Sequence, residues 1–196
     1  MQPAICWNVR ESRTTHRAVR EDVYDSDNVT GADNQQERLR IEGWIVGFVD
    51  GEGCFSVPIQ RNSKTLHWQV QPQFVVVQSA SSVSALEALR DYFGCGRINV
   101  NRRTDNHREP MYRYVVRRFR DLDEIIVPFF IRNPLLTSKQ ANFEKFVVVL
   151  DLMKQRHHLT AEGLLEIAGI VETMNRRKPS SIRRILRDHT PATSLR

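Results

Sequence analysis

The stretch Trp44-Ile45-Val46-Gly47-Phe48-Val49-Asp50-Gly51-Glu52-Gly53 decides how this chain is read. It has the make-up of the end of an apolar helix, yet glycine stands at Gly43, Gly47 and Gly51, spaced by four. Each glycine in a helix interior costs roughly 1 kcal/mol relative to alanine. At that spacing the three share one face and make a stripe without side chains, against which another backbone can lie closely. Acids stand at the helix end, Asp50 and Glu52. Unpaired carbonyls already carry partial negative charge there, so a carboxylate is unfavourable by a few tenths to about 1 kcal/mol. A carboxylate held in that field points to a cation sharing the site.

The nonapeptide from Ile45 to Gly53 resembles the signature of the LAGLIDADG homing endonucleases. Glycines at its third and last positions and acids at its sixth and eighth match, and Gly43 lies just before it. The following Cys54-Phe55-Ser56-Val57 and the later Leu135-Leu136-Thr137-Ser138-Lys139-Gln140-Ala141-Asn142-Phe143 are also similar to that family. The resemblance runs from about Leu39 to Asp188.

Composition sets the frame. The chain has 196 residues, 40% of them apolar, enough for one domain of moderate size with a core. No run approaches the ~20 apolar residues that span a bilayer, so no membrane partner is expected. Cys6, Cys54 and Cys95 lie far apart without metal-ligand spacing, and Met1 to Arg20 has no apolar signal core; both point to an intracellular protein with reduced thiols. The net charge of +6 is uneven: residues 1–38 hold five arginines against seven acids, a balance of −2, and residues 39–196 hold 24 basic against 16 acidic side chains, a balance of +8. Arg97 to Arg120 contains eight arginines against two acids, and Arg176 to Arg187 six basic residues and no acid. Such a surface suits a polyanion, and arginine's excess over lysine favours bidentate contacts to phosphate and guanine.

Residues 1–38 are polar and read as a disordered extension; residues 39–188 form one domain, and 189–196 a tail. Leu39 to Gly51 is the first helix. Cys54 to Arg61 alternates, Asn62 to Thr65 turns, and Leu66 to Gln78 alternates again, a hairpin with one apolar and one amide-rich face. Pro72 predicts an interruption of that ladder. Val83 to Phe93 is helical, Arg97 to Arg103 and Tyr112 to Phe119 pair as strands with Arg113 and Arg117 on one face, and Asp121 to Phe130, Thr137 to Met153 and Thr160 to Asn175 are helices. Pro179-Ser180-Ser181 opens a short basic helix. The order is αββαββ followed by helices, a mixed α+β domain with an outward sheet face. The resemblance implies the αββαββα homing-endonuclease fold, with a saddle-shaped antiparallel DNA-binding sheet and C-terminal helices.

The outward face carries side chains that read base edges, Gln or Asn for adenine and Arg for guanine. Candidates are Ser56, Gln60, His67, Gln69, Gln71, Gln73, Arg97, Asn99, Asn101 and Arg113. Arg176, Arg177, Lys178, Arg183 and Arg184 are expected on phosphates, positioning rather than specifying.

The resemblance implies that the chain is a site-specific double-strand DNA endonuclease, intron-encoded, cutting a long pseudo-palindromic site by divalent-metal-dependent phosphodiester hydrolysis. It makes Glu52 the metal-binding carboxylate, beside the Gly51 carbonyl, with Mg2+ the expected ion, since hard ions take oxygen ligands. Asp50 is the secondary acid. Gln78 corresponds to a polar residue that orients solvent; its parity sets it with the apolar side chains, so a bulge or strand end near Val76-Val77 is expected. Lys139 corresponds to the basic residue beside the scissile phosphate, with Thr137 an alternative for that slot. Ser82 stands where some relatives carry arginine. Only one motif copy is present: Ile167 to Asn175 imitates its opening but has Met174 in place of the second acid. One copy implies a homodimer joined along Gly43, Gly47 and Gly51, hence a two-fold axis and a pseudo-palindromic site. His157-His158 reads as a polar helix end rather than a metal site. An RNA-binding intron maturase, or a DNA-binding regulator that does not cut, is the alternative on the same fold.

Overall fold

The computed structural model describes residues 26–61, 68–101 and 109–175, with side chains described from residue 34 onward and not at Asn101. His67, the basic residues at 176, 177, 178, 183 and 184, the short terminal helix and the tail 189–196 lie outside the described residues. The chain divides into two compact units, Met1–Glu37 and Arg38–Arg196.

The first helix, α1, spans Ser26–Glu52 and so begins well before Leu39. The helix thus takes in residues 26–38, which the sequence reading set in the polar extension; residues 1–25 lie outside the described residues. Helix formation is costly to nucleate and cheap to extend, and Gln35, Gln36, Glu37 and Arg38 are good helix formers that prolong a helix already anchored further along. The anchor is Ile45 and Val49, both fully buried.

Beyond α1 come β1 (Gly53–Ser56), β2 (Ile59–Arg61), β3 (Trp68–Val70) and β4 (Gln73–Ser79). Pro58 and Pro72 cut what the alternation reads as one long hairpin into two short ladders, because neither can donate to a neighbouring strand. The Gln71 N–H donates to Pro58 O at 2.9 Å and carries the chain across the break. A 3-10 turn, Ala80–Ser82, leads to α2 (Val83–Phe93), which stops at Gly94 in the left-handed region, φ 62°. Strands β5 (Arg97–Asn101) and β6 (Met111–Val116) follow, then α3 (Phe119–Asp121), a π-helical turn Leu122–Ile126, α4 (Val127–Arg132), α5 (Lys139–Lys154) and α6 (Ala161–Glu172).

Strands β1, β4, β6 and β5 form, in that order, a fully antiparallel sheet, and β2 and β3 pair separately. The fold is the α+β arrangement expected from the pattern. Phe55, Phe74, Val76, Tyr114 and Val116 share one face of the sheet and are buried. Phe55 is the hub: its ring lies 5.1 to 5.5 Å from those of Phe74, Phe130, Phe143 and Phe146. The residue two positions after the signature is therefore fixed to both the sheet and α5. The opposite face carries Gln73, Arg97, Asn99 and Arg113 as expected, but its middle is aliphatic, with Val75, Val77 and the buried Val115.

Candidate nuclease site

Gly53 turns the chain from α1 into β1, and only glycine fits. A Cβ there would stand 2.6 Å from Val49 Cγ1 and 2.8 Å from the Val49 carbonyl oxygen. At Gly43, Gly47 and Gly51 a Cβ would meet nothing within 4 Å. All three are exposed, on the side of α1 opposite Ile45 and Val49. Among the described residues nothing gives a steric reason for those three glycines.

The tip of α1 and the segment that opens α5 are tied by hydrogen bonds running both ways. Leu136 N–H and Thr137 Oγ1–H each donate to the Asp50 carboxylate at 2.7 Å, and Thr137 N–H at 3.3 Å, so Asp50 holds the loop that leads into α5. In return the Lys139 ammonium donates to Val49 O at 2.7 Å and Gly51 O at 3.3 Å, satisfying carbonyls at the end of α1. Thr137 and Lys139 both belong to the site: Thr137 Oγ1 also accepts from Lys139 N–H at 3.2 Å. Partial burial raises the Asp50 carboxyl, but its bonds to Leu136 and Thr137 and the nearby Lys139 charge outweigh that and leave its pKa below 3.8. Burial lowers the Lys139 ammonium against the upward pull of Cys54, Asp50 and Glu52. Glu52 is different. Next in line after the carbonyl that Lys139 caps, it is exposed.

Gln78 lies beyond the end of the β1 ladder, whose last pair is Gly53 with Val76. The β4–β6 register runs unbroken from Phe74 with Val116 to Ser79 with Met111, so of the bulge or strand end expected near Val76-Val77 there is no bulge, and the strand that ends there is β1. Gln78 keeps its parity with Phe74 and Val76 and is tolerated there because β1 has already ended; it is half-buried at the end of the sheet where α1 terminates.

Among the sheet candidates, Gln60, Gln69, Gln71, Arg97 and Asn99 are exposed, and Gln71 Nε2–H donates to Gln69 Oε1 at 3.2 Å. Asn101 ends β5 opposite Met111. Arg113 is half-buried, and its Nε finds no hydrogen-bond partner among the described residues. Ser56 is corrected: only 6% exposed, with its hydroxyl taken by Gln73 Nε2–H at 3.1 Å, it cannot meet a base edge. Alternation assigned it a face but says nothing of depth. Arg117 was not among the candidates, although the alternation of the strand put it on the face of Arg113; it is exposed, and its Nε–H donates to Gln73 Oε1 at 2.9 Å. His157 lies 3.6 Å from Glu166, and no group of three or more His, Cys, Asp or Glu that could hold a metal occurs among the described residues.

A metal ion fits the α1 tip on donor chemistry, though one chain supplies only part of a shell. Glu52 offers hard carboxylate oxygens that suit a divalent ion of the Mg2+ kind, and the Gly51 carbonyl keeps a second lone pair beside its 3.3 Å bond from Lys139, whereas Asp50 is already engaged by Leu136 and Thr137. No described helix is long and apolar enough to cross a membrane.

A family profile described as LAGLIDADG endonuclease matches residues 45–150. A Neurospora crassa protein described as probable intron-encoded endonuclease 3 is 32% identical over 157 residues, covering 78% of this chain and 28% of that protein. The chain spans about a third or less of the length of the fungal relatives it matches. The crystal structure of the homing endonuclease I-TnaI superposes with a TM-score of 0.66 at 39% identity, covering 75% of this chain and 96% of that one. The meganuclease I-CpaMI bound to uncleaved DNA superposes with a TM-score of 0.65 at 29% identity, covering 75% of this chain and 50% of that one.

Proposed function

The chain belongs to the LAGLIDADG endonuclease family, and from that premise we propose that it is a homodimeric, Mg2+-dependent endonuclease that cuts both strands of a long pseudo-palindromic DNA site. The observation that carries this reading is the exposed Glu52, set at the tip of a helix whose Gly43–Gly47–Gly51 stripe meets nothing among the described residues. Two stripes face to face bring two such tips together, each beside its own sheet. The chain covers nearly all of one homing endonuclease and half of a DNA-bound one, which agrees with a unit that works as a pair.

A divalent ion at Glu52 and Gly51 O supplies activation of water and neutralisation of charge on the leaving oxygen. Glu52 holds a negative charge at the scissile phosphate, which is unfavourable without a cation and explains why a pure DNA binder gains nothing from it. Gln78 orients solvent through its amide in this reading, which its half-buried position at the same end of the sheet supports. Lys139 keeps the α1 tip rigid and brings one positive charge to a site that receives a phosphodiester. The sheet residues read bases, and the arginine-rich segments hold phosphates. The relatives' intron-encoded origin agrees with work inside a cell on intron-insertion sites.

The test is cleavage of a plasmid carrying the candidate insertion site, with and without Mg2+, by the wild type and by Glu52→Gln. Cutting by the wild type alone, and only with the metal, is the expected result. No cutting by either protein, with binding to intron RNA instead, supports a maturase and sinks this reading; equal cutting by both removes Glu52 from the mechanism.

A further inference from the structure

Ser56, Gln73 and Arg117 form a row across the outward face of the sheet. The register pairs Ser56 with Gln73, and Phe74 with Val116, so Arg117 comes level with Gln73 on the other side. Their side chains are linked in the same order. Gln73 Nε2–H donates to the buried Ser56 hydroxyl at 3.1 Å, and Gln73 Oε1 accepts from Arg117 Nε–H at 2.9 Å. The buried serine fixes the amide, and the amide fixes the guanidinium.

Arg117 differs from the arginines just after it. Arg118 and Arg120 are matched by carboxylates, Asp121 at 3.9 Å and Glu124 at 2.8 Å, which cancel their charge. Among the described residues Arg117 is held by a neutral amide and meets no carboxylate, so it is oriented without being neutralised. A guanidinium is a planar fork of five N–H donors. With Nε bound, its plane is set and its two terminal nitrogens remain available from an exposed position. A phosphate can also take such a fork bidentately, but it accepts from other directions as well and does not require one fixed plane. Pre-set planarity matters for a base edge, where guanine O6 and N7 must be met together and in plane.

We propose that Arg117 reads a guanine in the major groove, and that Gln73 and Ser56 are positioning residues that aim it rather than base readers themselves. The proposal rests on the reading of this chain as a sequence-specific DNA-binding nuclease. Its cost in ordering is small because the row is already formed before DNA arrives.

The experiment selects the wild type's preferred duplex from a randomised library and then measures binding to duplexes substituted one base pair at a time. Arg117→Ala is expected to erase discrimination at one guanine per half-site, a loss of about 5- to 150-fold, with the other positions unchanged. Gln73→Met, which keeps the length of the side chain but neither accepts from Arg117 Nε nor donates to Ser56, is expected to weaken discrimination at that same position and at no other. Uniform weakening by Arg117→Ala at every sequence, with a shallower salt dependence, identifies a phosphate contact and overturns the proposal. An unchanged profile overturns it as well while leaving the nuclease reading intact; a wild type that prefers no duplex defeats both. Arg117 is exposed, so loss of fold is not expected, and thermal melts of each variant check that.

Discussion

Gly47→Ala separates what the folded chain needs from what a second copy needs. A methyl at this position meets nothing within 4 Å, and the residue is exposed in the middle of α1. Alanine is therefore expected to stabilise the isolated chain by helix propensity alone, by roughly 0.8–1 kcal/mol. For a domain of this size that is a rise in Tm of about 2–4 °C. In a dimer joined along the stripe, the same change places a methyl on each of two helices where their backbones approach closely, and association suffers. The assay is a thermal melt over a range of protein concentrations, paired with sedimentation. The wild-type Tm is expected to rise with concentration, as dimer formation stabilises the folded state by mass action. Gly47→Ala is expected to melt higher than the wild type when dilute and to lose the concentration dependence. A variant that melts higher and still sediments as a dimer refutes the stripe as the interface. A lower Tm in dilute solution contradicts the open space around Gly47.

The remaining predictions concern how the site is held. Asp50→Asn exchanges charge-assisted bonds to Leu136 and Thr137 for weaker ones and is expected to cost about 1–2 kcal/mol in denaturant unfolding. Because the folded pKa of Asp50 lies below 3.8, its stabilisation is complete above that pH and fades as pH falls through the folded value, so the variant's disadvantage is expected to shrink in acid. Tyr92→Phe leaves Glu42 without the 2.9 Å bond from the phenol and is expected to cost about 1 kcal/mol. Burial, then the bond to Glu42, push the Tyr92 phenol up to about 12; its contribution holds below pH 10 and disappears as pH rises through about 12, which an absorbance titration of tyrosinate follows. Gly53→Ala forces a Cβ onto Val49 and is expected to cost about 1–3 kcal/mol and to displace Glu52, seen as lost cleavage together with a lower Tm.

The signature helix was legible because its features are local: apolar spacing at Ile45 and Val49, glycines four apart, and an acid at an end that disfavours acids. The hairpins were legible from alternation, and the break at Pro72 from its missing N–H. What alternation carries is parity, so it set Ser56 on the outward face but could not show that the hydroxyl is buried under Gln73. Parity likewise called for a bulge or a strand end before Gln78 without choosing between them; the neighbouring strand ends first. The early start of α1 was missed because the residues before Leu39 lack apolar periodicity, and extension of an existing helix does not require it. The hydrogen bonds between the α1 tip and the segment that opens α5 were out of reach for another reason. Asp50 meets Leu136 and Lys139 meets Val49 across 86 and 90 residues of chain, and no local pattern encodes such a meeting.

The central claim is that one exposed carboxylate per copy, Glu52, cuts one strand at a shared two-fold site. Mixed dimers of wild type and Glu52→Gln, isolated through different affinity tags and given a supercoiled plasmid carrying the selected site with Mg2+, test it most directly. The predicted product is a nicked circle, where the wild-type dimer gives linear DNA and the Glu52→Gln dimer leaves the plasmid intact. Linear DNA from the mixed dimer at the wild-type rate, or from the Glu52→Gln dimer alone, contradicts the claim.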